Sequence, residues 1–198
     1  MEKLQAWAQS LFQGADLTKV RDDLLLEMIV SGKSEAFEIL YDRHNDLLYR
    51  FLFRILLNEE VCLEVLQETW LKVYKNTEKF DGKASFKTWL YTIGKNTAFD
   101  RLKKKSELLF DEPTTIETFS DEEEGMLENM VRAATREKVW SALEQLAPDQ
   151  KTVLAMWMEE VSLEEMAQVM ERTPQAIKNL IHRSKKKLKL LLEGDGHE

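Results

Sequence analysis

A short segment near the C-terminus carries residue types that bind phosphates and read base edges. Between Arg172 and Lys189 there are 7 basic residues and no acidic ones. Helical spacing places Ile177, Ile181 and Leu188 on an inward face and the polar side chains opposite them. Such a helix can enter the major groove of DNA, where residues near its N-terminus reach base edges and its other cations neutralise phosphates. The predicted exposed face consists of Gln175, Lys178, Asn179, His182, Arg183 and Lys186.

Local signals before this helix predict a second helix and a tight turn. Ser162 and Glu165 have the spacing of a capping box, which starts a helix. Thr173 and Pro174 are a typical N-cap and first helical residue. Two short helices joined by a tight turn, of which the second is basic, make a helix-turn-helix. The alternative is an ordinary helical hairpin with a solvated basic face, and Glu171 stands where many such turns carry glycine.

A second basic segment, rich in aromatic residues, lies in the middle of the chain. Residues 79–105 include 8 basic and 2 acidic side chains, with five aromatic rings interleaved. Cations neutralise phosphates and rings stack on bases, so this composition suits single-stranded nucleic acid. The alternative is a helix whose lysines are solvated, and for Trp89 itself we predict a place in the core. For Lys83, Lys87 and Asn96 we predict contact with nucleic acid.

The composition indicates a globular chain that acts by binding. The chain has 198 residues, of which 43% are hydrophobic, enough to form a core. Cys62 is the single cysteine and the three histidines are scattered, so we expect neither an intrachain disulfide nor a metal site. The sequence has no nucleophile–base pair and no Gly-rich phosphate loop, so we expect no catalytic residues and no cofactor. No apolar run approaches the roughly 18–20 residues of a membrane span, so we expect no membrane insertion and a cytoplasmic location.

Helical periodicity and few turn residues predict an all-α fold with two helical domains. Only 7 Gly and 3 Pro occur, and the first 112 residues contain no proline. The net charge is −8, yet residues 106–130 alone hold 9 acidic residues and no basic one. Such a self-repelling stretch predicts a flexible linker. We therefore expect domains at 20–105 and 131–192, an N-terminal extension at 1–19 with helix-compatible apolar spacing, and a tail at 193–198.

Motifs in both predicted domains resemble those of bacterial RNA polymerase sigma factors of the small, extracytoplasmic-function (ECF) type. The sequences LQETW at 66–70, FDGKASFKTWLYTIGKN at 80–96 and DRL at 100–102 resemble sigma region 2. Residues 143–188 resemble region 4, and the two regions follow in the expected order and spacing. The resemblance implies a factor that is not an enzyme. It would bind core polymerase, direct it to promoters and assist melting of the DNA.

The same resemblance implies roles for individual residues. Gln67 and Glu68 match positions that dock on the clamp helices of the polymerase β′ subunit, and the β flap is a further expected contact. Extrusion of a base suits the pocket that the family uses for the minus-ten element. The residues matched to that element are Phe80, Gly82, Lys83, Ala84, Ser85, Lys87 and Asn96. The exposed face of the C-terminal helix, from Gln175 to Lys186, matches the surface that reads the minus-thirty-five element.

The resemblance also implies a regulatory partner and leaves alternatives open. In the family an anti-sigma protein, often membrane-anchored, covers these surfaces. The acidic linker would thread the polymerase channel or act only as a solvated tether. Where family members often carry Ala-Glu-Asp, this chain has Cys62, Leu63 and Glu64. Two other classes remain: a conventional helix-turn-helix regulator that binds duplex DNA alone, and a helical scaffold with no DNA role.

Overall fold

A computed structural model describes residues 17–108 and 137–194, and within these ranges the chain is helical without strands. The N-terminal helical unit (residues 17–108) comprises short 3-10 helices at Leu17–Lys19 and Thr77–Lys79 and four α-helices: α1 (Asp22–Val30), α2 (Glu35–Leu56), α3 (Glu59–Lys75) and α4 (Phe86–Leu108). The C-terminal helical unit (residues 137–194) comprises α5 (137–144), α6 (Pro148–Met158), α7 (Leu163–Met170) and α8 (Pro174–Gly194).

The predicted fold class, all-α with two helical domains, is confirmed. Most of the predicted acidic linker and of the N-terminal extension, and most of the tail, lie outside the described residues. Among the helices described, none is long and apolar enough to span a membrane.

The long helix α2 forms the centre of the N-terminal unit. Its apolar side chains recur at helical spacing, and α1, α3 and α4 all pack against it. Leu40, Leu48, Phe51, Leu52 and Ile55 are completely buried. Burying a side chain of this size contributes about 1.5–3 kcal/mol, so this apolar stripe holds the unit together.

Gly94 allows α4 to approach α2 and α3 closely. A Cβ atom built at Gly94 would lie 3.0 Å from Cδ1 of Leu48 and 3.5 Å from Cδ2 of Leu52. A side chain larger than a methyl group therefore has no room at this helix crossing. The sequence motif contains this glycine, but the close packing is visible only in the tertiary structure.

We expect Gly94→Leu to destabilise the protein by about 1–3 kcal/mol, because overpacking forces side chains off their rotamers. Urea denaturation followed by circular dichroism measures this change. Gly94→Ala is the graded control and should destabilise the protein less. The alanine methyl group needs only a small shift of Leu48, and alanine has a higher helix propensity than glycine. An equal or greater loss for alanine than for leucine would contradict the overpacking explanation.

The start and end signals of the C-terminal unit are local. Oγ of Ser162 accepts the backbone N–H of Glu165, and a Glu165 carboxylate oxygen accepts the N–H of Ser162 at 3.2 Å, so the capping box that begins α7 is confirmed. Thr173 caps α8 through the N–H of Ala176, and Pro174 is its first residue. Glu171, which replaces the usual turn glycine, has the left-handed φ of 53°. For a residue with a side chain this conformation costs about 1–2 kcal/mol.

The two units are not separate in space. Helix α2 packs against α6, and α4 packs against α7. The buried apolar residues of both units form one continuous cluster. The predicted flexible link between domains therefore joins two units that are already in contact.

Side-chain contacts mark both ends of α3. The helix begins at Glu59 because the Asn58 side chain accepts the N–H of Val61 at 2.9 Å. The Tyr74 side chain is 56% exposed. It lies at the end of α3, where its ring packs edge-on against Phe37.

Candidate nucleic-acid interface

An open groove runs along one side of α4, and Asn96 lies on it. The groove has a volume of about 390 Å³. Its lining combines the indole of Trp89, amide side chains and two lysines. These lining residues are Lys72, Asn76, Lys79, Trp89, Ile93, Asn96 and Thr97. A ring surface beside amides and cations is the combination that holds an unstacked base and its phosphate.

The loop 80–85 connects the second 3-10 helix to α4 and begins beside this groove, directly after Lys79. Phe80 is half-buried and its ring centroid lies 5.3 Å from that of Trp89, so it supports one of the groove's lining residues. Gly82 has φ +70°, a conformation that favours glycine, and it is exposed. Asp81 accepts hydrogen bonds from the ammonium of Lys83 at 2.6 Å and from its backbone N–H at 3.1 Å. These bonds lower the pKa of the Asp81 carboxyl and raise that of Lys83.

The predicted minus-ten residues are not all on one surface. Asn96 lines the groove, and Phe80 backs it through Trp89. Ser85 instead caps α4 through the N–H of Thr88 and hydrogen-bonds at 3.2 Å to the carboxylate of Glu165 in the C-terminal unit. Lys87 places its ammonium 5.5 Å from the centroid of the Tyr91 ring, and Ala84 is half-buried in the loop.

Helix α8 presents the predicted minus-thirty-five face to solvent. Ile177 is completely buried, and Ile181 and Leu188 are partly buried against the core. The six predicted recognition residues are all exposed: Gln175, Lys178, Asn179, His182, Arg183 and Lys186. Gln175 donates to Asn179 at 3.2 Å, so two of these polar side chains orient each other.

The cations of this segment fall into two groups. Arg172 forms an ion pair with Asp149, Lys185 lies 3.3 Å from the ring centroid of Trp157, and Lys187 donates to the carbonyl of Gln145 at 2.6 Å. These contacts attach α8 and the turn before it to their own unit. In the described part of the chain, no acidic side chain forms an ion pair with the predicted recognition residues Lys178, Arg183 and Lys186.

A separate exposed surface on α3 contains the predicted polymerase-docking residues. Gln67 and Glu68 are exposed, and Glu68 pairs with Lys72 at 2.8 Å. The same face includes Leu63 and Leu71, whose side chains are 45% and 58% exposed. Their spacing of i, i+4 and i+8 with Gln67 is visible in the sequence, but only the packing identifies this face as solvent-exposed. We did not predict either leucine as a site residue.

The motif departure at 62–64 divides between core and surface. Cys62 is completely buried, and burial followed by the nearby Glu59 carboxylate raises the pKa of its thiol to about 12. Glu64 forms an exposed ion pair with Arg101 of α4. Within residues 17–108 and 137–194, no group of three His, Cys, Asp or Glu side chains is arranged to hold a metal ion.

Comparisons with known proteins identify both units. The Sigma-70 region 2 model matches residues 40–107, and the Sigma-70 region 4 model matches residues 136–188, together more than half of the chain. The ECF RNA polymerase sigma factor SigX of Bacillus subtilis (strain 168) is 28% identical over 166 residues, which cover 80% of this chain and 84% of SigX.

Two solved structures have a similar fold. One is CnrH in complex with the cytosolic domain of CnrY, with a TM-score of 0.64, 24% identity and coverage of 88% of this chain and 98% of that one. The other is the sigma factor RpoE in complex with the anti-sigma factor NepR from Bartonella quintana, with a TM-score of 0.62, 20% identity and coverage of 79% and 96%. With both region models matched in order and an ECF factor aligned over most of its length, the chain belongs to the RNA polymerase sigma factors of the extracytoplasmic-function type.

Proposed function

We propose that this sigma factor directs core RNA polymerase to promoters by recognising a minus-ten and a minus-thirty-five element and assists melting of the DNA. Membership of the family implies core polymerase and promoter DNA as partners. The relatives and region models reported above are sigma factors, which are initiation factors, so the polymerase performs the chemistry. We expect the protein to act in the cytoplasm, as the family does.

The observation that carries this proposal is the presence of two different surfaces on one chain whose residue types suit nucleic acid. The groove beside Asn96 offers an indole, amides and cations, which suit an unpaired strand. The face of α8 around Arg183 offers exposed cations and amides on one helix, which suit a duplex major groove. A conventional regulator needs only the second surface.

Run-off transcription with core polymerase on a genomic promoter library tests the proposal. We expect promoter-specific transcripts only when the protein is added. Specific, half-site-dependent binding to duplex DNA without polymerase, together with no transcript, would instead favour a helix-turn-helix regulator. The absence of both would favour a scaffold.

Leu71→Asp is expected to weaken binding to core polymerase about tenfold, because it places a charge on the apolar part of the docking face beside Gln67. The Leu71 side chain is 58% exposed, so the fold should tolerate the change. Fluorescence anisotropy with labelled protein measures the affinity. Val30→Asp, at a 52% exposed apolar residue on α1, is the matched control. If the Leu71 variant and the wild type bound core polymerase with equal affinity, this face of α3 would not be part of the docking surface.

We further propose that an anti-sigma protein controls the factor. The similar RpoE structure was solved with an anti-sigma factor, and the fold shared with that protein supports the same kind of partner here. Co-purification of the tagged protein with a bound inhibitor that suppresses the run-off transcript tests this proposal. A free, fully active factor under every growth condition would contradict it.

A further inference from the structure

Asn76 lies on the wall of the groove beside Asn96, at the C-terminal end of α3. Its side-chain amide nitrogen donates to the carbonyl of Lys72 at 2.7 Å. Its backbone N–H donates to the carbonyls of Lys72 and Val73, both at 3.1 Å, and its own carbonyl accepts the N–H of Lys79 at 2.9 Å. These hydrogen bonds fix both the position of Asn76 and the orientation of its side chain.

The bond to Lys72 decides which way the amide group of Asn76 is turned. A backbone carbonyl only accepts hydrogen bonds, so the atom that faces it must be the amide nitrogen of Asn76 and not the amide oxygen. The oxygen therefore lies on the other side of the planar group, away from the end of α3. Among the described residues, no donor forms a hydrogen bond with this oxygen. The cap of α3 thus leaves Asn76 with an acceptor for a molecule in the groove.

Most other polar side chains of the groove either are committed to the protein or can only donate. Thr97 is buried, and its hydroxyl accepts the ammonium of Lys72 at 3.0 Å and donates to a carbonyl of its own helix at 2.9 Å. Lys72 and Lys79 are donors only, so they suit phosphates and the oxygen atoms of bases. The side-chain acceptors that the described lining offers to a base are therefore the amide oxygens of Asn76 and Asn96.

The bases differ in what they offer to a fixed acceptor. Cytosine, adenine and guanine carry an exocyclic amino group, which extends beyond the ring and donates hydrogen bonds. Thymine has no amino group and carries oxygen where cytosine has nitrogen. The ring N–H of thymine lies between two carbonyl oxygens, and both of them repel an acceptor that approaches it. A site built to hydrogen-bond a group on its ligand discriminates against an analogue that lacks this group.

We propose that Asn76 determines the base specificity of the groove: its amide oxygen accepts a hydrogen bond from the exocyclic amino group of the captured base and thereby discriminates against thymine. This inference rests on the function proposed above, and it names the kind of base that the groove takes. The indole of Trp89 offers a surface for stacking, and the exposed ammonium of Lys79 suits the phosphate. Asn76 lies outside the motifs at 66–70 and 80–96, and only the packing of α3 beside α4 brings it to the groove.

The test changes the captured base by single chemical groups. Holoenzyme, formed from core polymerase and this protein, binds labelled promoter fragments whose minus-ten element is single-stranded, and competition followed by fluorescence anisotropy measures the affinities. An abasic site is first placed at each minus-ten position in turn, and the captured position is the one where it weakens binding most. That position then receives matched bases with and without the amino group: cytosine or uracil, adenine or purine, and guanine or hypoxanthine.

We expect the wild type to bind the base with the amino group about tenfold more tightly than its matched base, in the pair that contains the promoter's own base. Asn76→Ala should bring this ratio close to one. Asn58→Ala is the matched control, because Asn58 caps the other end of α3 through the N–H of Val61 at 2.9 Å and does not line the groove. It should keep the wild-type ratio. Each ratio is measured within one protein, so a general loss of stability cancels from it.

Two results would overturn the inference: thymine as the preferred base at the captured position, or the same ratio for the wild type and Asn76→Ala. Run-off transcription with core polymerase on the same promoter separates this failure from failure of the proposed function. Promoter-specific transcription together with an unchanged ratio in Asn76→Ala rejects the role of Asn76 alone. No promoter-specific transcript, or no loss of binding from an abasic site at any minus-ten position, rejects the proposed function or its base-capture step.

Discussion

Asn96→Ala is expected to reduce the amount of open promoter complex about ten- to hundredfold while leaving initial engagement of the promoter nearly unchanged. The Asn96 side chain is exposed on the groove that also contains Trp89. Its amide can hydrogen-bond an extruded base, and loss of such a bond or of base stacking costs about 1–3 kcal/mol. Closed duplex offers no unpaired base to this side chain, and α8 would still hold the upstream DNA.

Permanganate footprinting measures the opening on two matched promoters, one fully duplex and one already melted across the minus-ten element. A melted template removes the cost of unpairing but not the cost of lost capture, so we expect only partial rescue. A thermal melt of each variant accompanies the footprints. If a folded Asn96→Ala factor opened the duplex promoter at the wild-type rate and extent, this result would contradict a role of the groove in capturing a base.

Phe80→Ala makes an instructive comparison with Asn96→Ala. We expect it to impair opening too, but its ring is half-buried against Trp89 and Phe86, at centroid distances of 5.3 and 6.5 Å. Truncating it leaves a cavity as well as altering the groove, so part of its effect is lower stability. Asn96 is the cleaner probe, because its side chain is exposed.

Arg183→Ala and Lys178→Ala are expected to weaken use of the upstream element by a free energy of about 1–3 kcal/mol wherever the lost contact is to a base. Both side chains extend into solvent from α8. A lost base contact should relax the sequence preference at one position. A lost phosphate contact should weaken all sites alike. It should also reduce the slope of log affinity against log salt concentration by about one.

Transcription from a set of promoters with single substitutions in the upstream element, repeated at several salt concentrations, distinguishes these two outcomes. Lys187→Ala is the matched control, because its ammonium already donates to the carbonyl of Gln145 at 2.6 Å. We expect it to keep the wild-type preference. If Arg183→Ala and Lys178→Ala both transcribed like the wild type from a promoter that needs the upstream element, α8 would not be the recognition helix.

Much of the secondary structure could be predicted from the sequence because its signals are local. The capping pair Ser162 and Glu165, the prolines at 148 and 174 and the apolar spacing of α2 each act over one or two helical turns. Glu171 shows the limit of such signals. The sequence marks it as an exception to the turn glycine, but only the backbone shows that it adopts the left-handed conformation regardless.

The candidate site was predictable to the extent that it lies on single helices. The six polar residues of α8 share one face because of helical periodicity, and all six are exposed. The seven minus-ten candidates came from a contiguous motif, and the structure distributes them between a groove, a loop and the contact with the C-terminal unit. A motif specifies order along the chain, whereas a surface depends on which sides of the helix face solvent.

By itself the sequence determined the helices, their order, the charge of each segment and membership of the sigma family. The tertiary structure alone decided that the two units pack together. It also placed Lys95, a cation of the basic-aromatic segment, against the carbonyl of Val169, and Glu159 between two arginines more than 100 residues earlier in the chain. Helix signals depend on neighbours three or four residues apart, whereas these partners meet only after whole helices have packed. Their pairing depends on the shape and charge of two folded surfaces, which no local pattern in the sequence specifies.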